Sequence, residues 1–326
     1  MNRSPWRFLG TVAGAGVLVV VLWHVGTGPF VTGLRSLDPL TLVLGAALGL
    51  PVTLTGAWRW HLVSRELKVR VDLAPAVASC YRAQFLNVTL PGGILGDVHR
   101  GVRHGQQAGD TLAGMRAVAW ERLAGQGVQA AVAIVVLLLL PSPVRDAMPA
   151  VLGVLALLAT LTVVAVRFIS PSRPGSLPAR VRRVLRDDLR GLLTVRRAWL
   201  GIVVASIAAL GFHLATYFLA ARAVGVTAPS VTLLPVALLI FLAAGLPVNL
   251  AGWGPREGVA AWSFAAAGLG AAQGVATAVA YGAIVLVANL PGAAVLLVAS
   301  TRRRRPRRGA SVPVPVPIPE GGAVHG

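Results

Sequence analysis

Apolar runs of about bilayer-crossing length alternate along the chain with short basic stretches. Residues 8–25, 40–62, 113–140, 149–169, 199–221 and 277–300 each approach the roughly 20 apolar residues that a transmembrane helix needs. Two other apolar stretches are broken. Residues 82–100 read RAQFLNVTLPGGILGDVHR, with a Pro-Gly-Gly interruption at Pro91, Gly92 and Gly93. Residues 245–258 read GLPVNLAGWGPREG, interrupted around Gly252, Gly254 and Pro255. Irregular backbone at membrane depth is tolerated only where protein buries it or it lines a wet cavity. Matching breaks in two halves of a chain point to a transport site.

This pattern predicts an all-α, polytopic helical bundle. About six full spans combine with two broken re-entrant hairpins of inverted orientation; eight spans result if the short pieces cross fully. Residues 74–96 have basic flanks at both ends, so that segment enters and leaves on one side. The second break then enters from the opposite face. Residues 1–300 form the transmembrane domain and 301–326 a disordered, basic, Pro-rich tail. Residues 170–197 form a basic cytoplasmic loop, as a short amphipathic helix or linker.

Composition agrees with a membrane protein. The chain is 56% hydrophobic and 13% charged, against about 25% charged in soluble domains. The net charge of +19 would suggest nucleic acid in a soluble protein. Here the arginines cluster between and after the apolar runs, where the positive-inside rule accounts for them and requires no nucleic-acid partner. The rule places both termini in the cytoplasm and the protein in the plasma (inner) membrane as a multi-pass chain. The basic loop suits anionic lipid headgroups. Trp58 and Trp60 fit an interfacial aromatic belt, and Arg59 and Arg222 read as snorkelling residues. A single cysteine, Cys80, excludes an internal disulfide. No metal-ligand spacing, nucleophile–base set or phosphate-cradling loop is recognisable, so neither cofactor nor metal is expected and the chain does not read as an enzyme.

Ionisable residues inside apolar segments are functional candidates by default. Arg82, Asp97, Arg100, Glu121, Arg122, Arg256 and Glu257 form that set. Asp97 and Arg100 share a helix face three residues apart. Glu121–Arg122 and Arg256–Glu257 are sequence neighbours, so within each pair one member faces inward and the other seeks a partner on another segment. Three acids against four arginines leaves one positive charge, which suits one phosphate. Asn87 and Asn249 can cap broken helices. Gly92, Gly93, Gly96, Gly252 and Gly254 permit turns and close backbone approach, while Gly125 and Gly127 read as helix-packing positions.

Three motifs occur in order: RAQFLN at 82–87 with LPGG at 90–93, GD at 96–97 and Arg100; then Glu121-Arg122 with Gly125; then GWGPRE at 252–257. Together they resemble the lysylphosphatidylglycerol synthase transmembrane-region family, a flippase-like integral membrane domain, over about residues 8–300. The resemblance implies a lipid translocase without the soluble synthase domain of the bifunctional members. Its substrate would be an anionic phospholipid or a polyprenyl-linked lipid, bound by the residues above. Two other readings stay open: an accessory protein for a lipid- or glycan-modifying enzyme, and an ion-coupled exporter of a small solute.

Overall fold

The computed structural model describes residues 5–168, 184, 186–188, 196–245 and 253–304. Among them there is no strand and there are twelve helices, with one 3₁₀ turn at Arg145–Ala147. In chain order these are α1 (Pro5–Val25), α2 (Gly28–Arg35), α3 (Pro39–Glu66), α4 (Leu73–Thr89), α5 (Leu95–Ala108) and α6 (Thr111–Leu139). They continue as α7 (Met148–Phe168), α8 (Arg196–Ala223), α9 (Ser230–Ala244), α10 (Pro255–Ala266), α11 (Ala271–Ala288) and α12 (Leu290–Arg304). The chain is a polytopic helical bundle. Four helical stretches are long and apolar enough to span a bilayer, and a fifth is counted if α1 and α2 form one bent span. The 21-residue α7 occupies the return segment read at 149–169. Residues 170–183, 185, 189–195 and 305–326 lie outside the described residues, and with them most of the basic loop and the tail.

Both breaks are present. α4 ends at Thr89 and α5 starts at Leu95, with Gly92 and Gly93 between them at φ +89° and +62°. Side chains rarely adopt that backbone region, which is why glycine stands there. The second break separates α9 from α10. Its residues 246–252, including Asn249 and Gly252, lie outside the described residues. Gly254 precedes α10 at φ +121°, and Pro255 opens the helix at a position where a missing N–H is harmless.

The architecture repeats around these breaks. α4 packs on α5 and α5 on α6; α9 packs on α10 and α10 on α11. The long helices α3 and α8 lie together between them, and α12 covers α4. The apolar run read at 277–300 lies in one bilayer-length stretch, Ala271–Ala299, made of α11 and most of α12, which meet at Asn289 in right-handed helical geometry. One feature differs from the sequence reading. The helix α2 has no counterpart in that reading; it turns 96° from α1 after Gly26 and packs on α11.

Close approach of α4 and α5 depends on Gly96. A Cβ there would strike the Ala83 carbonyl oxygen and come within 2.7 Å of its carbon. Gly96→Ala should therefore destabilise the protein by about 1–3 kcal/mol, read as a lowered melting temperature in detergent. Gly127→Ala, with nothing within 4 Å of the added atom, should leave the melting temperature unchanged or slightly raised.

Candidate functional site

Gly93 of the first break and Gly245 and Arg256, which flank the second, line one cavity of about 390 Å³. Its wall includes Arg59 from α3, Asn87 from α4, Asp97 and Arg100 from α5, Glu121 and Arg122 from α6, and Arg256 from α10. Uncharged polar groups fill the spaces between them, among them Thr53, Gln84, Gln126, Gln129 and Ser206.

The first group of charges is assembled by the first break. Asn87, in the last turn of α4, reaches across the gap. Its Oδ1 accepts from the Gly96 N–H at 2.8 Å, and its Nδ2 donates to Asp97 Oδ2 at 2.6 Å. One side chain thus caps the start of α5 and orients its first-turn acid, where the helix dipole favours negative charge. Asp97 Oδ1 receives Arg100 Nη2 at 2.9 Å, and Arg122 donates to Asp97 Oδ2. Arg100 then bridges to Glu121 Oε2 at 2.7 Å. Glu121 Oε1 receives Arg59 through Nε at 2.8 Å and through Nη2. The Arg100 guanidinium also lies 4.6 Å from the Trp60 ring centre.

The second group is smaller. Arg256 donates to Glu257 Oε1 through Nε at 2.8 Å and Nη2 at 2.6 Å, and Glu257 Oε2 receives the Gly254 N–H at 2.7 Å. The Arg256 guanidinium lies 5.5 Å from the Trp253 ring and 5.7 Å from that of Tyr281. Tyr281 in turn pairs its hydroxyl with His213 Nδ1 at 2.9 Å. The acid occupies the third position of the helix after the break in both groups: Asp97 in α5 and Glu257 in α10.

Several expectations are corrected by this geometry. Arg59 is not a snorkelling residue; it sits in the cavity wall as a principal partner of Glu121. Trp60 is not part of an interfacial belt, being 1% exposed beneath Arg100. Arg82 is buried on α4, with a bond to Ser79 Oγ at 3.3 Å, and does not line the cavity. Arg256 and Glu257 pair with each other instead of seeking separate partners. The capping bond turns the carboxylate back towards the helix start, and the long arginine side chain curls to meet it. Gly125 makes room for a side chain, not for a helix: a Cβ there would lie 2.8 Å from Arg59 Cζ. Gly282 stands likewise under the Arg256 guanidinium. In the N-terminal half of α6, Arg116 and Trp120 bind Asp188, a residue of the basic stretch, at 3.0–3.1 Å.

With Arg59 in the place of Arg82, the two groups hold four arginines and three carboxylates, a net charge of one positive. These groups line a polar, cationic cavity inside a helical membrane bundle. The chain belongs to the family described as Lysylphosphatidylglycerol synthase TM region, which matches residues 7–292. Searches of curated proteins and of solved structures give no match.

Proposed function

We propose that this protein moves an anionic phospholipid or a polyprenyl-linked lipid between the leaflets of the plasma (inner) membrane. One observation carries the proposal: a cavity with surplus positive charge, enclosed by two broken helices inside an apolar bundle. Its volume falls within the roughly 300–1,000 Å³ of ligand sites. Arginines would hold the phosphate while the acyl chains stay in the bilayer. The carboxylates hold the arginines in position and weaken their grip, so that the headgroup can leave. In this reading Asn87, Asp97, Arg100, Glu121, Arg122, Arg256 and Glu257 form or support the headgroup site, and the two hairpins enter from opposite faces.

Reconstitution in liposomes with labelled lipids tests it. Leaflet exchange should exceed that of protein-free vesicles, fall strongly in Arg256→Ala and be retained in Arg305→Ala. Exchange at the protein-free rate for every headgroup would overturn the proposal. Orientation has its own test, because both basic regions should face the cytoplasm. Cys80 is buried, so a Cys80→Ala background serves for labelling. Single cysteines at Ser172 and Ser311 should react with an impermeant maleimide only after permeabilisation; labelling in intact cells would reverse the topology.

A further inference from the structure

A second recess lies outside the cavity, at the end of α3 that the positive-inside rule assigns to the cytoplasm. It has a volume of about 230 Å³ and is lined by His61, Arg65, Arg70, Val71 and Asp72. It shares no residue with the cavity wall.

The chain that shapes this recess is held firmly. Lys68, just past α3, stands at φ +60°, the one positive φ outside glycine among the described residues. Glycine usually takes that helix-ending position, and a side chain there is strained. The Val69 N–H closes the turn on the Ser64 carbonyl at 2.9 Å, and Leu67 and Val69 are buried on either side of Lys68. Two histidines from different helices grip the carbonyls beyond it. His104 Nε2 of α5 donates to the Val69 carbonyl at 2.6 Å, and His61 Nδ1 of α3 donates to that of Val71 at 2.6 Å. Membrane orientation requires positive charge but no fixed loop. Backbone strain that its surroundings enforce points instead to a function. Its effect here is to bring Arg70 and Asp72 into one recess with His61 and Arg65.

The charges in the recess are available. Arg65, Arg70 and Asp72 are exposed, and none of them has an ion-pair partner among the described residues. The bond to Val71 uses the Nδ1 proton of His61 and leaves Nε2 for a ligand. Two guanidinium groups suit a phosphate. The Asp72 carboxylate repels a bare phosphate and favours one that carries a hydrogen-bond donor. Trp58, His61 and Arg65 follow one another at three- and four-residue spacing, so they share a face of α3. Trp58 is 39% exposed, and an exposed tryptophan at a helix end marks the headgroup level. The recess is smaller than the roughly 300–1,000 Å³ of drug-sized ligand pockets, so it would take a lipid's head and leave the acyl chains in the bilayer.

We propose that this recess is a second lipid site, which binds the head of a cytoplasmic-leaflet phospholipid. Arg65 and Arg70 hold the phosphate, and Asp72 accepts a hydrogen bond from a hydroxyl or ammonium group beside it. The proposal does not rest on the translocase reading.

Photo-crosslinking locates the lipid. The purified full chain is placed in phosphatidylcholine nanodiscs with a small fraction of probe lipid, its diazirine near the phosphate, and crosslinked peptides are read by mass spectrometry. The probes carry phosphatidylglycerol, phosphatidylethanolamine or phosphatidylcholine heads. Crosslinks to residues 58–73 should be about tenfold more abundant with the first two, because a donor paired with a carboxylate is lost in the third. Arg65→Gln with Arg70→Gln should cut them about tenfold, without lowering the melting temperature or the crosslinks at the cavity wall. Asp72→Ala, which removes no capping bond, should bring the phosphatidylethanolamine probe down to the phosphatidylcholine level. Arg307→Gln with Arg308→Gln removes the same charge from the tail and should change nothing. Crosslinks that survive the Arg65 and Arg70 changes, or that fall as far in the tail variant, overturn the site. Equal crosslinking of the phosphatidylethanolamine and phosphatidylcholine probes overturns the assignment of the head. Inorganic phosphate in millimolar excess should leave the crosslinks in place; their loss would make the ligand a free phosphate and overturn the lipid assignment.

Discussion

Glu121→Ala should be the most damaging single substitution in the bundle. The carboxylate is 3% exposed and joins α3 to α5 through Arg59 and Arg100. Removing it leaves two guanidinium groups facing each other with one acid fewer. Arg100 keeps Asp97 and the Trp60 ring, but Arg59 keeps only its bond to Ser206 Oγ at 3.3 Å within this network. Breaking one buried pair from one side typically costs about 3–5 kcal/mol. Here two pairs share the lost partner, so the upper end of that range is expected. Chemical unfolding in detergent reads the loss, and lipid exchange should fall to background. Glu121→Gln keeps the shape and an acceptor oxygen and should lose less. The companion change Arg59→Ala in the Glu121→Ala background should restore part of the stability, because it removes the more poorly compensated cation. If Glu121→Ala unfolds no more readily than wild type, the charged network contributes nothing to the fold.

The two breaks were legible in the sequence because glycine and proline act locally. Pro-Gly-Gly and Gly-Trp-Gly-Pro interrupt a helix whatever surrounds them, and an acid two residues beyond Leu95 or Pro255 is conspicuous in an oily chain. Arg59 was not legible. It lies between two tryptophans and six residues before a basic cluster, the setting of an ordinary interfacial arginine. What distinguishes it is a partner 62 positions away and a glycine, Gly125, one turn beyond that partner. Sequence carries that signal only once α3 and α6 are known to touch. Trp60 was misplaced for the same reason, since burial beneath Arg100 is a property of the packing. Arg82 failed in the other direction: an ionisable residue in an apolar run is costly wherever it sits, and the cost says nothing of which face it occupies. The pairing of Arg256 with Glu257 follows from a capping bond that helix geometry in mid-segment would forbid. Helix α2 is only eight residues long, and its pattern is too short to give a period.

The Arg256–Glu257 pair should separate folding from function. Arg256→Ala leaves Glu257, 0% exposed, with the Gly254 N–H as its remaining partner in the pair's network. Glu257→Ala leaves Arg256 between the Trp253 and Tyr281 rings and removes the capping bond at the start of α10. Each single change should cost about 3–5 kcal/mol, because each strands a buried charge. The double change removes both charges and should cost less than either, so the coupling measured by a double-mutant cycle should be large. Lipid exchange should behave differently. It should be lost in Arg256→Ala and remain lost in the double variant, since restoring stability does not return the guanidinium to the cavity wall. Unfolding free energies that simply add would show that the pair is not a closed unit. Exchange recovering together with stability in the double variant would show that Arg256 serves the fold and not the headgroup.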